Sequence, residues 1–202
     1  MAADNRWNWN IHYHSVVLNA VPSDATSALD VGTGDGLLAF DLADRGLRVV
    51  AVDTDGDSVV RARADTRASS GQIEFVVGDL FTYEFVPSSF DVVASIAMLH
   101  HVDAEAGLRR MKELVRPGGV VAIVGFAGVS RPTDRARALS GALYKRWRQL
   151  RRRYWEHHAP TMWPPPLSMD EMAALADRVL PGAAFNRLLS GRYSIVWRVA
   201  CD

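Results

Sequence analysis

Apolar and polar positions in this chain segregate into whole elements. Residues 27–31, 47–53, 73–77, 90–96 and 120–126 are near-continuous runs of Val, Ile, Leu, Ala and Phe. Such runs, with no strict alternation, predict strands of a parallel sheet covered on both faces. Between them, residues 37–45, 57–68 and 104–115 read as helices, with Asp55 or Asp57 placed to cap the second and Pro117-Gly118-Gly119 to end the third. Upstream, Ile11, Val17, Leu18 and Val21 approximate a helical stripe that Pro22 closes. Downstream, Ser168 and Glu171 form a capping box for a helix over 169–179, which Leu180-Pro181-Gly182 stops. Two last runs, 184–189 and 192–199, meet at Ser190-Gly191 as a hairpin. Strand and helix in alternation predict an α/β, doubly wound sheet with helices on both faces.

The turn after the first strand is the chemically informative stretch: Asp30-Val31-Gly32-Thr33-Gly34-Asp35-Gly36. Glycines let the backbone turn tightly and approach a ligand closely. The dinucleotide fingerprint is G-x-G-x-x-G, but here the third glycine comes one residue early, and Asp30 and Asp35 would repel a pyrophosphate. A ligand carrying an ammonium group suits these acids better. No G-x-x-x-x-G-K-[ST] sequence occurs, which excludes a P-loop. Right-handed crossovers bring Gly32, Asp53, Asp79 and Ile96 to the edge where ligands bind in open α/β sheets. There Asp53 can take both hydroxyls of an adenosine ribose. Asp79 can accept from an adenine amino group, with Thr54, Leu80 and Phe81 near the ring.

Five landmarks in order (30–36, Asp53, Asp79, 90–102 and Leu114-Val115-Arg116-Pro117-Gly118-Gly119) resemble the class I S-adenosylmethionine-dependent methyltransferases over roughly residues 27–126. The resemblance implies a mostly parallel seven-stranded sheet ended by an antiparallel C-terminal pair. It implies S-adenosylmethionine as cofactor and S-adenosylhomocysteine as product. Asp30, Gly32, Thr33 and Gly34 would face the methionine end, Asp53 the ribose, and Thr54, Asp79, Leu80 and Ile96 the remainder of the nucleoside. The implied activity is methyl transfer to an oxygen, nitrogen or carbon of a small molecule. The alternative is a cofactor-binding regulatory or assembly protein without transferase activity, and a nicotinamide-dependent oxidoreductase stands third. The chain divides into an N-terminal cap (1–24), a cofactor-binding core (25–126), a helical insertion (127–167) and a C-terminal helix and hairpin (168–202), all within one domain.

Methyl transfer from an activated donor needs a base only when the acceptor is protonated. His101, His100 and His14 are the candidates, in that order; a metal site is not expected from two adjacent histidines that point apart. Trp9 and Tyr13, among the aromatics crowded into 7–14, suit a segment that closes over a pocket.

Composition adds bounds. The 202 residues are 49% hydrophobic and 23% charged with no net charge, ordinary for a soluble domain. No stretch reaches the roughly 20 apolar residues of a bilayer span, the N-terminus has no signal-peptide core, and Cys201 is the only cysteine. A cytoplasmic protein is expected. The charge is uneven, however: residues 131–153 hold nine basic side chains and one acid. In the same stretch Leu139, Leu143, Trp147, Leu150 and Tyr154 make an apolar helical stripe. The expected arrangement docks that stripe on the body as a substrate lid that includes Trp147. Peripheral contact with an anionic membrane through 131–155 is the second reading, and nucleic acid is disfavoured because no Asn/Asp-Pro-Pro-aromatic motif follows strand four. Nothing in the pattern speaks to oligomeric state.

Overall fold

The continuous apolar runs form the inner strands of a single sheet. In the computed structural model, whose described residues are 6–65, 67–68, 71–151, 155 and 164–200, these are β1 (Ser27–Val31), β2 (Arg48–Asp53), β3 (Ile73–Val77), β4 (Phe90–Ile96) and β5 (Val115–Phe126). All five pair in parallel. β6 (Ala184–Arg187) and β7 (Arg192–Arg198) complete a seven-stranded sheet of order β3-β2-β1-β4-β5-β7-β6, with β7 antiparallel to both neighbours. The helices are α1 (Trp9–His12), α2 (His14–Ala20), α3 (Leu37–Ala43), α4 (Gly56–Ala64), α5 (Ala104–Leu114), α6 (Pro132–Arg151) and α7 (Met169–Val179).

Two apolar layers sandwich the sheet. On one face Leu108 and Met111 of α5 and Met172 and Val179 of α7 pack against Leu29, Val93 and Ile123. On the other, Leu38, Phe40 and Leu42 of α3 and Val59 and Ala62 of α4 pack against Ala28, Ala51 and Ala122. Trp7, Trp9, Tyr13 and Val17 belong to this second layer, so the N-terminal segment is part of the core. The chain runs β1, β2, β3 toward one edge and β4, β5 toward the other. That reversal opens a crevice beyond the strand C-termini between β1 and β4.

Several boundaries differ from the sequence pattern for identifiable reasons. The N-terminal stripe makes two short helices, because Asn8 caps α1 separately and Tyr13 (φ −98°, ψ 6°) breaks the run. The Tyr13 hydroxyl accepts from Leu189 N at 3.0 Å, which anchors this break to the β6–β7 turn. α4 stops at Ala64, short of residue 68, where Asp65 becomes extended and accepts from Arg67 N. β5 starts at Val115, opposite Phe90, so Pro117-Gly118-Gly119 is a register shift inside the strand and not a turn before it. Gly118 takes φ +77° there. The capping box at Ser168 and Glu171 is formed as expected. Tyr154 and Cys201 lie outside the described residues.

Asp91 fastens the N-terminal ends of β1 and β4. Its buried carboxylate accepts from the backbone N–H of Thr26 and Ser27 and from both of their hydroxyls, and Arg116 pairs with its other oxygen. Burial pushes its pKa up, but these hydrogen bonds and Arg116 outweigh that, and the net shift is downward. Removing it strands a guanidinium and several donors. Asp91→Ala should therefore cost about 3 kcal/mol in a urea unfolding experiment. The deficit should shrink as pH falls below the ordinary carboxylate range, since the parent's Asp91 is then protonated too.

Candidate active site

The glycine turn is shaped by its conformation and by what it meets. Gly32, Gly34 and Gly36 all have positive φ. A Cβ on Gly32 would lie 2.6 Å from the Met98 side chain, and one on Gly36 2.9 Å from the Phe75 ring. Only glycine permits both the left-handed backbone and the close packing. The turn is held open by Asp53 at the tip of β2, whose carboxylate accepts from Gly34 N at 2.7 Å and from Asp55 N at 2.9 Å. Asp55 caps α4.

Beyond these strand ends lies a cavity of about 500 Å³. The turn, Asp53, Thr54, Asp79, Leu80 and Ile96 line it, as do His14, His100 and His101. The cofactor and histidine positions singled out in the sequence thus surround one space. Asp30, 1% exposed, sits at its floor and accepts from Thr33 Oγ1 at 2.7 Å. Burial raises its pKa to about 6, against the opposing hydrogen bond from Thr33 and the nearby His14. A buried carboxylate with one short hydrogen bond, facing a cavity, is a site for a cation. Asp35 does not share this property: Arg61 Nε binds its carboxylate at 2.7 Å, so its charge is already compensated.

The three histidines occupy different settings. His100 is buried, edge-on to Phe126 and 4.1 Å from the His101 ring centroid. Desolvation, with His101 and Arg192 nearby, lowers its pKa to about 4. Desolvation also lowers that of His101, against the pull of Asp53. Both are neutral at physiological pH. Ala97, just before them, holds φ +59°, an uncommon backbone for a residue with a Cβ, and it too lines the cavity. His14 is different: its Nδ1 lies 2.6 Å from Asp41 Oδ2 of α3, leaving Nε2 as the other ring nitrogen of a side chain that borders the cavity.

Asp41 escaped the sequence reading. The available signal was a lone acid inside the apolar run Leu37-Leu38-Ala39-Phe40-Asp41-Leu42-Ala43. Asn8 and Asn10 were missed as well. In Trp7-Asn8-Trp9-Asn10 the tryptophans are buried in the core and the asparagines border the cavity, with Asn8 also capping Ile11 N. Phe126 and Trp155 complete the wall.

Trp9, Tyr13 and Trp147 are not among the residues that line the cavity. Trp9 and Tyr13 stack on each other in the core behind it, centroids 5.8 Å apart. The stripe of α6 does not dock as expected. Leu139, Leu143 and Trp147 are 65%, 66% and 44% exposed, because the opposite face of the helix makes the contacts to the body. That face carries buried Asp134 and Gly141, together with Tyr144 beside Trp7 and Trp9.

Comparison with known proteins gives a consistent family. The profile of a methyltransferase domain matches residues 28–119. An uncharacterized methyltransferase of Mycobacterium bovis is 40% identical over 196 residues, which cover 96% of this chain and 98% of the relative. A ubiquinone biosynthesis O-methyltransferase of Idiomarina loihiensis is 38% identical over 95 residues, 46% of this chain and 39% of that protein. Among solved structures, Haemonchus contortus phosphoethanolamine N-methyltransferase 2, in complex with phosphomonomethylethanolamine and S-adenosylhomocysteine, superposes with a TM-score of 0.62 at 23% identity. It matches 89% of this chain and 38% of the nematode chain, a likeness of fold.

The environment of Asp30 has a thermodynamic consequence. Its folded pKa lies above its ordinary value, so ionisation opposes folding above about pH 6 and the opposition vanishes below the ordinary carboxylate range. Asp30→Asn should be more stable than the parent at pH 7.5, by up to about 3 kcal/mol for a two-unit shift. The gap should close at pH 4, read from urea midpoints at the two pH values.

Proposed function

This chain belongs to the class I S-adenosylmethionine-dependent methyltransferases, and from that premise we propose that it methylates a small molecule whose acceptor atom carries a proton to be removed. The carrying observation is the cavity itself, with a buried anionic floor at Asp30 and a carboxylate-bound imidazole at its wall.

The residues present fit the cofactor. Asp30 offers a desolvated carboxylate to an ammonium group, and the open backbone of 32–34 lets a ligand approach without a side chain in the way. Asp53 uses one lone pair on each oxygen for Gly34 and Asp55, which leaves acceptor capacity for ribose hydroxyls. Asp79, fixed by its bond to Phe81 N at 2.8 Å, and buried Leu80 offer an acceptor and an apolar face to adenine. Thr54 and Ile96 complete that wall. Bound there, S-adenosylmethionine supplies a methyl group already activated on a sulfonium. What remains for the protein is to exclude water, orient the acceptor and take its proton.

His14 is the best-placed base. Asp41 holds its Nδ1, which fixes the tautomer with Nε2 as the proton acceptor. His100, with a pKa near 4, is too weakly basic to lead this step. Neutral His101 and His100 instead offer hydrogen bonds that orient the acceptor. An oxygen, nitrogen or carbon nucleophile is compatible with this arrangement, and the dyad favours a hydroxyl or phenol over an unprotonated amine.

Two measurements test this. Calorimetric titration with S-adenosylhomocysteine should give binding that Asp53→Ala weakens by at least about tenfold, since ribose contacts and the glycine turn are lost together. It should also weaken as pH falls through about 6, when Asp30 gains a proton, and Asp30→Asn should flatten that dependence. In an acceptor screen followed by steady-state kinetics, His14→Asn and Asp41→Asn should lower kcat by about 10²–10⁴ and 10-fold or more, respectively. Affinity for S-adenosylhomocysteine should stay within about twofold. Full kcat in His14→Asn would remove the base from the proposal and leave the cofactor site standing.

A further inference from the structure

α6 presents to solvent the face that a core helix would bury. With 100° between successive residues, Leu139, Leu143 and Trp147 fall within an arc of about 80° on its outer side. Exposed Arg135 and Arg146 run along one margin, whereas Arg137 lies about 120° from the centre of the arc, where its Nη1 approaches the inner Asp134 at 3.8 Å. The only acid of the helix, Asp134, is 5% exposed on the inner side. There it accepts from Ser130 N, Arg131 N and Arg187 Nη1. Gly141 sits so close to Ser190 that a Cβ would come within 2.7 Å of its backbone N, and Arg148 lies over the Trp7 ring at 5.2 Å. These contacts fix the helix rotation, so the apolar face cannot turn inward without breaking the ion pairs and the close packing at Gly141. No helix among the described residues is long and apolar enough to cross a membrane.

We propose that this outer face is a docking surface for an anionic phospholipid bilayer, with α6 lying in the interfacial plane. An apolar stripe with a tryptophan, edged along one margin by Arg135 and Arg146 and free of exposed acids, matches the layered chemistry of headgroup phosphates over acyl chains. A second copy of the chain fits less well, because pairing α6 with itself brings arginine margins against each other. Nucleic acid would use the arginines and leave the leucines against phosphate. The helix reaches the cavity in two steps: Trp147 contacts Tyr144, and Tyr144 packs on Trp7, Trp9 and His12 of the segment whose Asn8, Asn10 and His14 border the cavity. The docking does not depend on the methyl-transfer reading.

The test is co-sedimentation of the full chain with vesicles of equal parts phosphatidylglycerol and phosphatidylcholine, compared with phosphatidylcholine alone. The anionic vesicles should bind at least about tenfold more protein, and 0.5 M NaCl should weaken the binding. Leu143→Asn with Trp147→Ala, and separately Arg135→Glu with Arg146→Glu, should each reduce it about tenfold or more. Their melting temperatures should stay near the parent's, because the altered side chains are exposed. Absence of binding to the anionic vesicles overturns the proposal. So does binding that the Leu143/Trp147 variant leaves intact, or tighter binding to a 20-base-pair DNA duplex that only the arginine variant abolishes.

Discussion

The carboxylate of Asp53, fixed to the backbone of Gly34, is the constraint on which the site depends. Three left-handed glycines in five residues make a turn with little side-chain packing of its own. A loop of that kind keeps one shape only when something outside it supplies partners. Asp53 does so from the neighbouring strand, and the N–H groups of Gly32 and Thr33 both bond to Val52 O. The tips of β1 and β2 are thereby tied together beyond their ladder. Asp30 is buried beneath the turn and α3 starts on a fixed line, which brings Asp41 to His14. These cross-strand contacts thus set the cavity floor, the position of its buried carboxylate and the start of α3.

The cavity wall is completed by segments distant in sequence. The N-terminal residues reach it because Trp7, Trp9, Tyr13 and Val17 supply the apolar area that binds them to the core, while the intervening polar side chains face the space. Tyr13 adds a polar clasp to Leu189 in the β6–β7 turn, and Gly141 of α6 seats on Ser190 of that same turn. The N-terminal end of α6 is secured by charge: Arg187 bridges Asp134 of α6 and Asp170 of α7 at 2.7 and 2.5 Å, with Arg131 on Asp170 as well. The helix is therefore held by ion pairs, a glycine contact, Tyr144 and the Arg148–Trp7 contact. Its leucines Leu139 and Leu143 stay exposed.

Much of this was legible in the pattern of residues. Parallel strands buried on both faces must be nearly continuously apolar, so β1 to β4 could be read to within a residue or two, and with them the strand tips that carry Asp30, Asp53, Asp79 and Ile96. The glycine spacing announced its turn because no other residue tolerates both the φ values and the approach of Met98 and Phe75. Local chemistry of this kind is written in neighbouring residues.

What only the tertiary structure decided are relations between residues far apart in the chain. Asp41 reads as an oddity in an apolar helix until the fold sets it 2.6 Å from His14. His100 and His101 read alike in the sequence, and only the fold buries His100 so that desolvation lowers its pKa to about 4. The stripe on α6 satisfies every rule for a buried helical face, and periodicity records that an apolar face exists without saying which way it turns. Its direction was settled by Asp134 finding Arg187 and by Gly141 fitting against Ser190, contacts that cross tens of residues of chain and that no local pattern encodes.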